Sequence, residues 1–139
     1  MAQIPVVLVL CTGNSCRSQM AEALVNHHFA GRVRCLSAGT RPQAQVAAGA
    51  LAALKQLGLP TEPLYPKDID AVIHEPIDLV ITVCNNAQET CPILPRPIRS
   101  IHLPFHDPHG EPLASFIQVR DDIAARLLPV INDALGLPS

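Results

Sequence analysis

The stretch VVLVLCTGNSCRSQMAEAL, residues 6–24, contains the pattern from which the fold can be inferred. Its first five residues are branched and apolar, as expected of a strand buried on both faces of a parallel sheet. Small polar residues follow, and a helix-favouring segment that begins at Arg17 comes directly after them. Cys11 is therefore predicted to lie where a strand ends and a loop leads into a helix.

The loop after Cys11 has the composition of an anion-binding site. Backbone N–H groups of a loop of small residues can converge on an anion, and the N-terminus of the next helix adds positive potential. The same field stabilises a thiolate, so Cys11 is predicted to be a nucleophile. Arg17 supplies a planar fork of donors that suits a tetrahedral oxyanion. The alternative is a buried structural cysteine near a solvated arginine, because a C-x5-R spacing is common by chance.

Composition restricts the class of protein. The 139 residues are enough for one domain, over residues 1–139, and too few for two. A net charge of −2 gives no basic surface for nucleic acid, so no nucleic-acid partner is expected. No apolar run is long enough to span a membrane and the N-terminus lacks a signal-peptide pattern, so we expect a cytoplasmic protein with no membrane partner.

Strand and helix patterns alternate along the chain. Strands are predicted at residues 4–10, 33–36, 78–83 and 98–103, and helices at 17–29, 43–57, 68–74 and 114–128. Strands separated by helices indicate an α/β domain whose parallel sheet carries helices on both faces. A tight corner is predicted at residues 37–39. Pro129 predicts a kink or break near residues 125–129, because proline in a helix interior costs about 3 kcal/mol.

Three chemically capable residues are predicted at the carboxyl ends of strands, where open α/β sheets bind ligands. Cys11 ends the first strand, Cys84 ends the third, and Asp107 lies in the loop after the fourth. A loop carboxylic acid such as Asp107 can protonate a leaving oxygen, although Asp-Pro is also common turn chemistry. Cys84 and Cys91 are either a reactive pair or two buried small side chains, and their polar surroundings weaken the second interpretation.

The residues CTGNSCRSQMAE, 11–22, resemble the phosphate loop of the low-molecular-weight protein tyrosine phosphatase fold, and more closely that of the arsenate reductases of this fold. The resemblance covers nearly the whole chain. It implies a four-stranded parallel sheet of order 2-1-3-4 and a general acid at Asp107. It also implies an oxyanion-binding loop made by Thr12, Gly13, Asn14, Ser15, Cys16, Arg17 and Ser18, in which Cys16 has no obligatory role.

The spacing of Cys84 and Cys91 resembles the redox segment of thioredoxin-coupled arsenate reductases. This resemblance implies that Cys11 attacks arsenate, Cys84 attacks the Cys11 sulfur to release arsenite, and Cys91 moves the disulfide to Cys84–Cys91 for reduction by thioredoxin. Glutaredoxin or a low-molecular-weight thiol remains an alternative reductant. A phosphatase would need only Cys11, Arg17 and Asp107, and a non-catalytic anion sensor would need only the loop.

The expected ligands are few. No cofactor is required, although the resemblance implies a potassium ion at Asn14, Glu22, Ser37 and Asp68. A transition-metal site at the histidines of residues 102–109 is disfavoured, because they lack the spacing of the common zinc motifs. Phosphate and sulfate are expected to compete with arsenate for the loop. We expect a monomer.

Overall fold

The computed structural model describes residues 4–84 and 97–137, and a four-stranded sheet forms its centre. The strands are β1 (Val6–Cys11), β2 (Arg34–Gly39), β3 (Leu79–Thr82) and β4 (Ser100–His102). All pairings are parallel and the order is β2-β1-β3-β4, which confirms the predicted sheet. The α-helices are α1 (Arg17–His28), α2 (Ala48–Gln56) and α3 (Leu113–Leu135).

Every residue of β1 is buried, which explains why the strand has no polar alternation. Its odd-numbered residues face a core layer to which α1, α2 and α3 all contribute. Its even-numbered residues face a smaller layer that includes Val72 and Ile77. Among the described elements, the second face is covered by the 3₁₀ turn Ile69–Ala71 and its flanking residues, where a longer helix over 68–74 was predicted.

The predicted corner at residues 37–39 is wrong, because these residues are the last three of β2. Gly39 pairs with Cys11, and its N–H donates to the Lys67 carbonyl at 2.9 Å. A Cβ on Gly39 would lie 2.4 Å from the Thr12 carbonyl oxygen. The glycine therefore permits close approach of two chain segments, where a turn was expected.

Two helices begin or end away from their predicted positions because other hydrogen bonds compete for the backbone. Residues 43–47 do not join α2: the Gln43 N–H donates to the Gly13 carbonyl at 2.9 Å, and the Ala47 N–H donates to the Ser15 carbonyl at 2.8 Å. The segment at 68–74 forms only a 3₁₀ turn, and the Asp68 side chain accepts from the Asp70 N–H at its start.

Of the kink or break predicted near residues 125–129, the break is wrong, because α3 continues across Pro129 to Leu135. Proline removes the hydrogen bond to the carbonyl of Ala125, and both residues lie on the exposed side of α3, where water can replace that bond. Buried side chains hold the helix on either side of the gap: Ile123, Leu127 and Ile131. No helix of the described residues combines the length and apolar character needed to cross a membrane.

We expect Gly49→Ala to lower the free energy of unfolding. A Cβ at this position of α2 would lie 2.5 Å from the Phe116 ring of α3. The overpacking should cost about 1–3 kcal/mol, which outweighs the gain of about 1 kcal/mol that alanine brings to a helix. Urea unfolding measures the change. Adding Phe116→Leu should recover part of the loss, and a Gly49→Ala protein at least as stable as the parent would contradict this packing.

Candidate active site

The loop between β1 and α1 forms the floor of a pocket. The predicted site residues that line it are Cys11, Thr12, Gly13, Ser15, Cys16, Arg17 and Asp107. The outer lining consists of Gln43, Gln45, Ala47 and His109. Asn14 and Ser18 are fully buried and do not line the pocket. The structure thus brings together the predicted nucleophile, arginine and general acid, and it places the other two loop residues where they can support the floor.

Arg17 links the ends of three strands. Its Nη1 lies 3.4 Å from the Val83 carbonyl oxygen after β3, and 3.3 Å from the Phe105 carbonyl oxygen after β4. Its Nη2 lies 3.6 Å from Oδ2 of Asp107, whose side chain is 44% exposed. The buried guanidinium is therefore held in one orientation at the pocket wall, with the predicted general acid beside it.

The orientation of the Asn14 carboxamide follows from its partners. The Lys67 backbone N–H donates to Asn14 Oδ1 at 2.7 Å, and a backbone N–H can only donate. The other end of the amide must therefore be the nitrogen. Asn14 Nδ2 donates to Ser18 Oγ at 2.8 Å and to Ser37 Oγ at 2.9 Å.

This orientation determines which atom Ser18 donates to. Ser18 Oγ accepts from Asn14, so its own proton is available to Cys11 Sγ, which lies 2.9 Å away. A hydrogen bond to a sulfur anion favours the charged form. The Ser18 hydroxyl is therefore the donor of this pair, in the position from which it can stabilise a thiolate at Cys11.

Two other cysteines have environments that oppose ionisation. Burial raises the pKa of the Cys16 thiol to about 12, and the Asp107 carboxylate adds to the increase. Burial also raises the pKa of Cys35 well above its ordinary value, with a further contribution from Glu22. Both side chains are therefore protonated thiols at neutral pH. Cys35 belongs to the core, and Cys16 lines the pocket as a protonated thiol.

The structure describes only one of the two predicted relay cysteines. Cys84 is buried two residues after β3, and its neighbour Val83 contacts Arg17 through its carbonyl oxygen. The backbone at Cys84 is thus next to the pocket wall. Cys91 lies outside the described residues, as does all of 85–96.

Three of the four residues expected to hold potassium meet beneath the loop. Ser37 donates to Glu22 Oε1 at 2.7 Å and accepts from Asn14. The Asp68 side chain is directed elsewhere, to the Asp70 N–H. Lys67, which the sequence analysis did not single out, places its Nζ 3.4 Å from Glu22 Oε1.

The histidines of residues 102–109 do not converge. His102 bonds Thr82 at 2.6 Å, and His106 bonds Glu111 at 2.7 Å. Within residues 4–84 and 97–137 no three His, Cys, Asp or Glu side chains form a group that could hold a metal ion.

A buried strand, a thiol at its end, and an oxyanion loop closed by an arginine define a phosphatase-type active site. The family model of the low molecular weight phosphotyrosine protein phosphatases matches residues 6–132. The chain belongs to this family.

Arsenate reductases are prominent among its relatives. Arsenate reductase 1 of Bacillus cereus is 38% identical over 121 residues, which cover 87% of this chain and 90% of the relative. The crystal structure of the arsenate reductase of Archaeoglobus fulgidus superposes with a TM-score of 0.80 at 28% identity, covering 91% of this chain and 98% of that one. The thioredoxin-dependent arsenate reductase of Corynebacterium glutamicum has a TM-score of 0.73 at 27% identity, covering 96% and 64%.

We expect Ser18→Ala to slow alkylation of Cys11 near pH 6. A hydrogen bond to a charged group contributes about 1.5 kcal/mol or more, so its loss should reduce the rate roughly tenfold or more. Mass spectrometry after timed iodoacetamide treatment measures it. Ser100→Ala, which removes an exposed hydroxyl in β4, is the control. Equal rates in the Ser18→Ala and parent proteins would show that this hydroxyl does not stabilise the thiolate.

The raised pKa values of Cys16 and Cys35 predict a pH-dependent labelling pattern. A raised pKa keeps the thiol protonated below that pKa, so neither residue should be alkylated in the native protein at pH 8. Cys11 should be alkylated there, and phosphate should slow its reaction. Denatured protein, in which burial is removed, provides the control. Native labelling of Cys16 as fast as that of Cys11 would contradict the assignment of the nucleophile.

Proposed function

We propose that this protein reduces arsenate to arsenite with its own thiols, in the service of arsenic detoxification. The observation that carries the proposal is the Cys11 sulfur, which lies on the pocket floor with the Ser18 hydroxyl at 2.9 Å and Arg17 in the pocket wall. Similarity to arsenate reductases over most of the chain supports the choice of oxyanion.

In the first step the Cys11 thiolate attacks arsenic while the loop N–H groups and the Arg17 guanidinium hold the arsenate oxygens. Asp107 protonates an arsenate oxygen, which leaves as water. The ion pair of 3.6 Å with Arg17 keeps the Asp107 carboxyl at the pocket. The product of this step is a sulfur–arsenic bond at Cys11.

In the second step the Cys84 thiolate attacks the Cys11 sulfur. The electron pair of the sulfur–arsenic bond passes to arsenic, which is reduced from the +5 to the +3 state and leaves as arsenite. The two sulfurs lose two electrons and form the Cys11–Cys84 disulfide. Cys91 then attacks Cys84, which frees Cys11 and leaves a Cys84–Cys91 disulfide. The position of the Cys84 backbone next to Arg17 supports this order.

Thioredoxin is the proposed reductant of the Cys84–Cys91 disulfide. The thioredoxin-dependent enzyme of Corynebacterium glutamicum, which shares this fold, supports the choice. A cytoplasmic site of action fits the chemistry, because thiols there stay reduced between turnovers. Phosphate and sulfate have the shape and charge to compete for the same loop.

The pocket rim favours a small inorganic oxyanion over a phosphotyrosine. The rim residues Gln43, Gln45, Ala47 and His109 are polar or small. Of the described residues that line the pocket, none is Phe, Tyr or Trp, so there is no aromatic face to stack on a tyrosine ring. Hydrolysis of aryl phosphates, which needs only Cys11, Arg17 and Asp107, is proposed as a weak side activity.

Four substitutions separate the two activities. We expect Cys84→Ser and Cys91→Ser to abolish arsenate turnover and to retain hydrolysis of an activated aryl phosphate, because the ester reaction does not use the relay. Cys11→Ser and Arg17→Ala should lose both. Arsenate-dependent NADPH oxidation through thioredoxin and its reductase measures the first activity, and release of nitrophenol measures the second.

The Cys91→Ser protein provides the decisive result. Unimpaired arsenate turnover by this variant with thioredoxin would rule out the three-thiol relay and indicate a different reductant. Turnover supported by glutaredoxin but not by thioredoxin would exclude thioredoxin as the partner and leave the chemistry at Cys11 intact.

A further inference from the structure

A lysine side chain is buried beneath the oxyanion loop. Lys67 is 8% exposed, and lysine is rarely buried unless it is paired. Its Nζ lies 2.9 Å from the Tyr65 carbonyl oxygen and 3.4 Å from Glu22 Oε1. The ammonium also lies 4.4 Å from the centre of the Tyr65 ring. Three groups that attract a cation therefore surround it.

The same carboxylate begins a chain of hydrogen bonds that ends at the nucleophile. Ser37 donates to Glu22 Oε1, and Asn14 donates to Ser37. Asn14 also donates to Ser18, whose proton is available to Cys11 Sγ. Because the Glu22 carboxylate accepts the proton of the Ser37 hydroxyl, Ser37 Oγ can accept a hydrogen bond from Asn14 Nδ2. The charge of Glu22 thus influences the hydrogen bonds that Asn14 and Ser18 make within the loop.

Glu22 is 7% exposed and needs a compensating positive charge. A buried carboxylate without a partner is strongly unfavourable. Potassium was the expected partner, at Asn14, Glu22, Ser37 and Asp68. The residues do not fit that expectation, because the Lys67 ammonium lies against Glu22 and the Asp68 side chain accepts from the Asp70 N–H.

We propose that Lys67 is the resident cation of this site, so that oxyanion binding by this chain does not depend on potassium. Lys67 is a positioning residue: it neutralises Glu22 and thereby keeps Ser37 and Asn14 in the arrangement that supports the loop. The inference rests on the proposed function only in requiring that the loop binds a tetrahedral oxyanion. Reduction of arsenate is not needed for it to hold.

The test measures phosphate affinity from its protection of Cys11 against iodoacetamide, in potassium chloride and in sodium chloride at equal ionic strength. The parent protein should give one affinity in both salts. Lys67→Met keeps an unbranched side chain one atom shorter, without the ammonium, and it keeps the backbone contacts of residue 67. It should bind phosphate about tenfold more weakly in sodium, because one partner of a buried pair is gone, and potassium should restore the affinity.

Two controls isolate the charge. Lys55→Met removes the other lysine of the chain, which is exposed on α2, and should behave as the parent protein. Lys67→Met combined with Glu22→Gln removes both charges, so potassium should have no effect on it. The melting temperature of each protein in the two salts shows whether potassium stabilises it, without using the active site. This measurement also applies if the Lys67→Met protein folds poorly in sodium.

Three results would overturn the proposal. The first is a parent protein whose phosphate affinity or melting temperature rises in potassium. The second is a Lys67→Met protein that binds phosphate in sodium as the parent does. The third is a Lys67→Met, Glu22→Gln protein that binds phosphate in sodium as weakly as Lys67→Met alone, because the loss would then not come from an unneutralised Glu22 and Lys67 would be a packing residue only. None of these measurements uses arsenate, so failure of the arsenate assignment would be seen separately.

Discussion

The active site depends on the carboxamide of Asn14. This residue has φ of 48°, the only positive φ outside glycine in the described residues, and such a backbone costs about 1 kcal/mol or more. Its Oδ1 accepts from the Lys67 N–H and from Gln19 Nε2, and its Nδ2 donates to two serines. At about 1 kcal/mol net for each hydrogen bond, these contacts outweigh the strain. The hydrogen bonds of this one buried side chain thus fix the backbone conformation of the loop that lines the pocket.

Parallel strands explain why the positions of Cys11 and Asp107 were predictable from sequence. The carboxyl ends of neighbouring parallel strands meet at one edge of the sheet, so Cys11 and Asp107 could be placed there before any coordinates were known. The role of Lys67 could not be predicted in this way. Its contacts are with Asn14 and Glu22, 53 and 45 residues away in sequence, and nothing in a proline-containing loop indicates them. Gln19 was missed for the same reason, since its Nε2 also donates to the Tyr65 carbonyl oxygen, 46 residues away.

Two of the boundaries that sequence patterns misplaced share one cause. Local propensity favours a helix from residue 43 and a corner at 37–39, but in both places the backbone bonds to a distant segment. Pro129 is the opposite case, since buried residues on both sides keep α3 continuous where propensity predicts a break. The cysteines show the same dependence on context. Cys11, Cys16 and Cys35 are all buried. Burial and nearby carboxylates raise the pKa of Cys16 and Cys35, whereas Cys11 has the Ser18 hydroxyl 2.9 Å from its sulfur.

The close approach at Gly39 limits how far the loop can be moved between scaffolds. Any side chain at position 39 would meet the Thr12 carbonyl at 2.4 Å and the Cys11 carbonyl at 2.9 Å. The seven-residue segment from Cys11 to Arg17 is therefore not a self-contained cassette. A protein engineer who grafts this segment into another α/β protein must also provide a glycine on the adjacent strand. The graft also needs a buried donor for the side-chain oxygen of Asn14, the role that the Lys67 N–H plays here. Without them the transplanted cysteine and arginine would keep their spacing and lose the loop conformation between them.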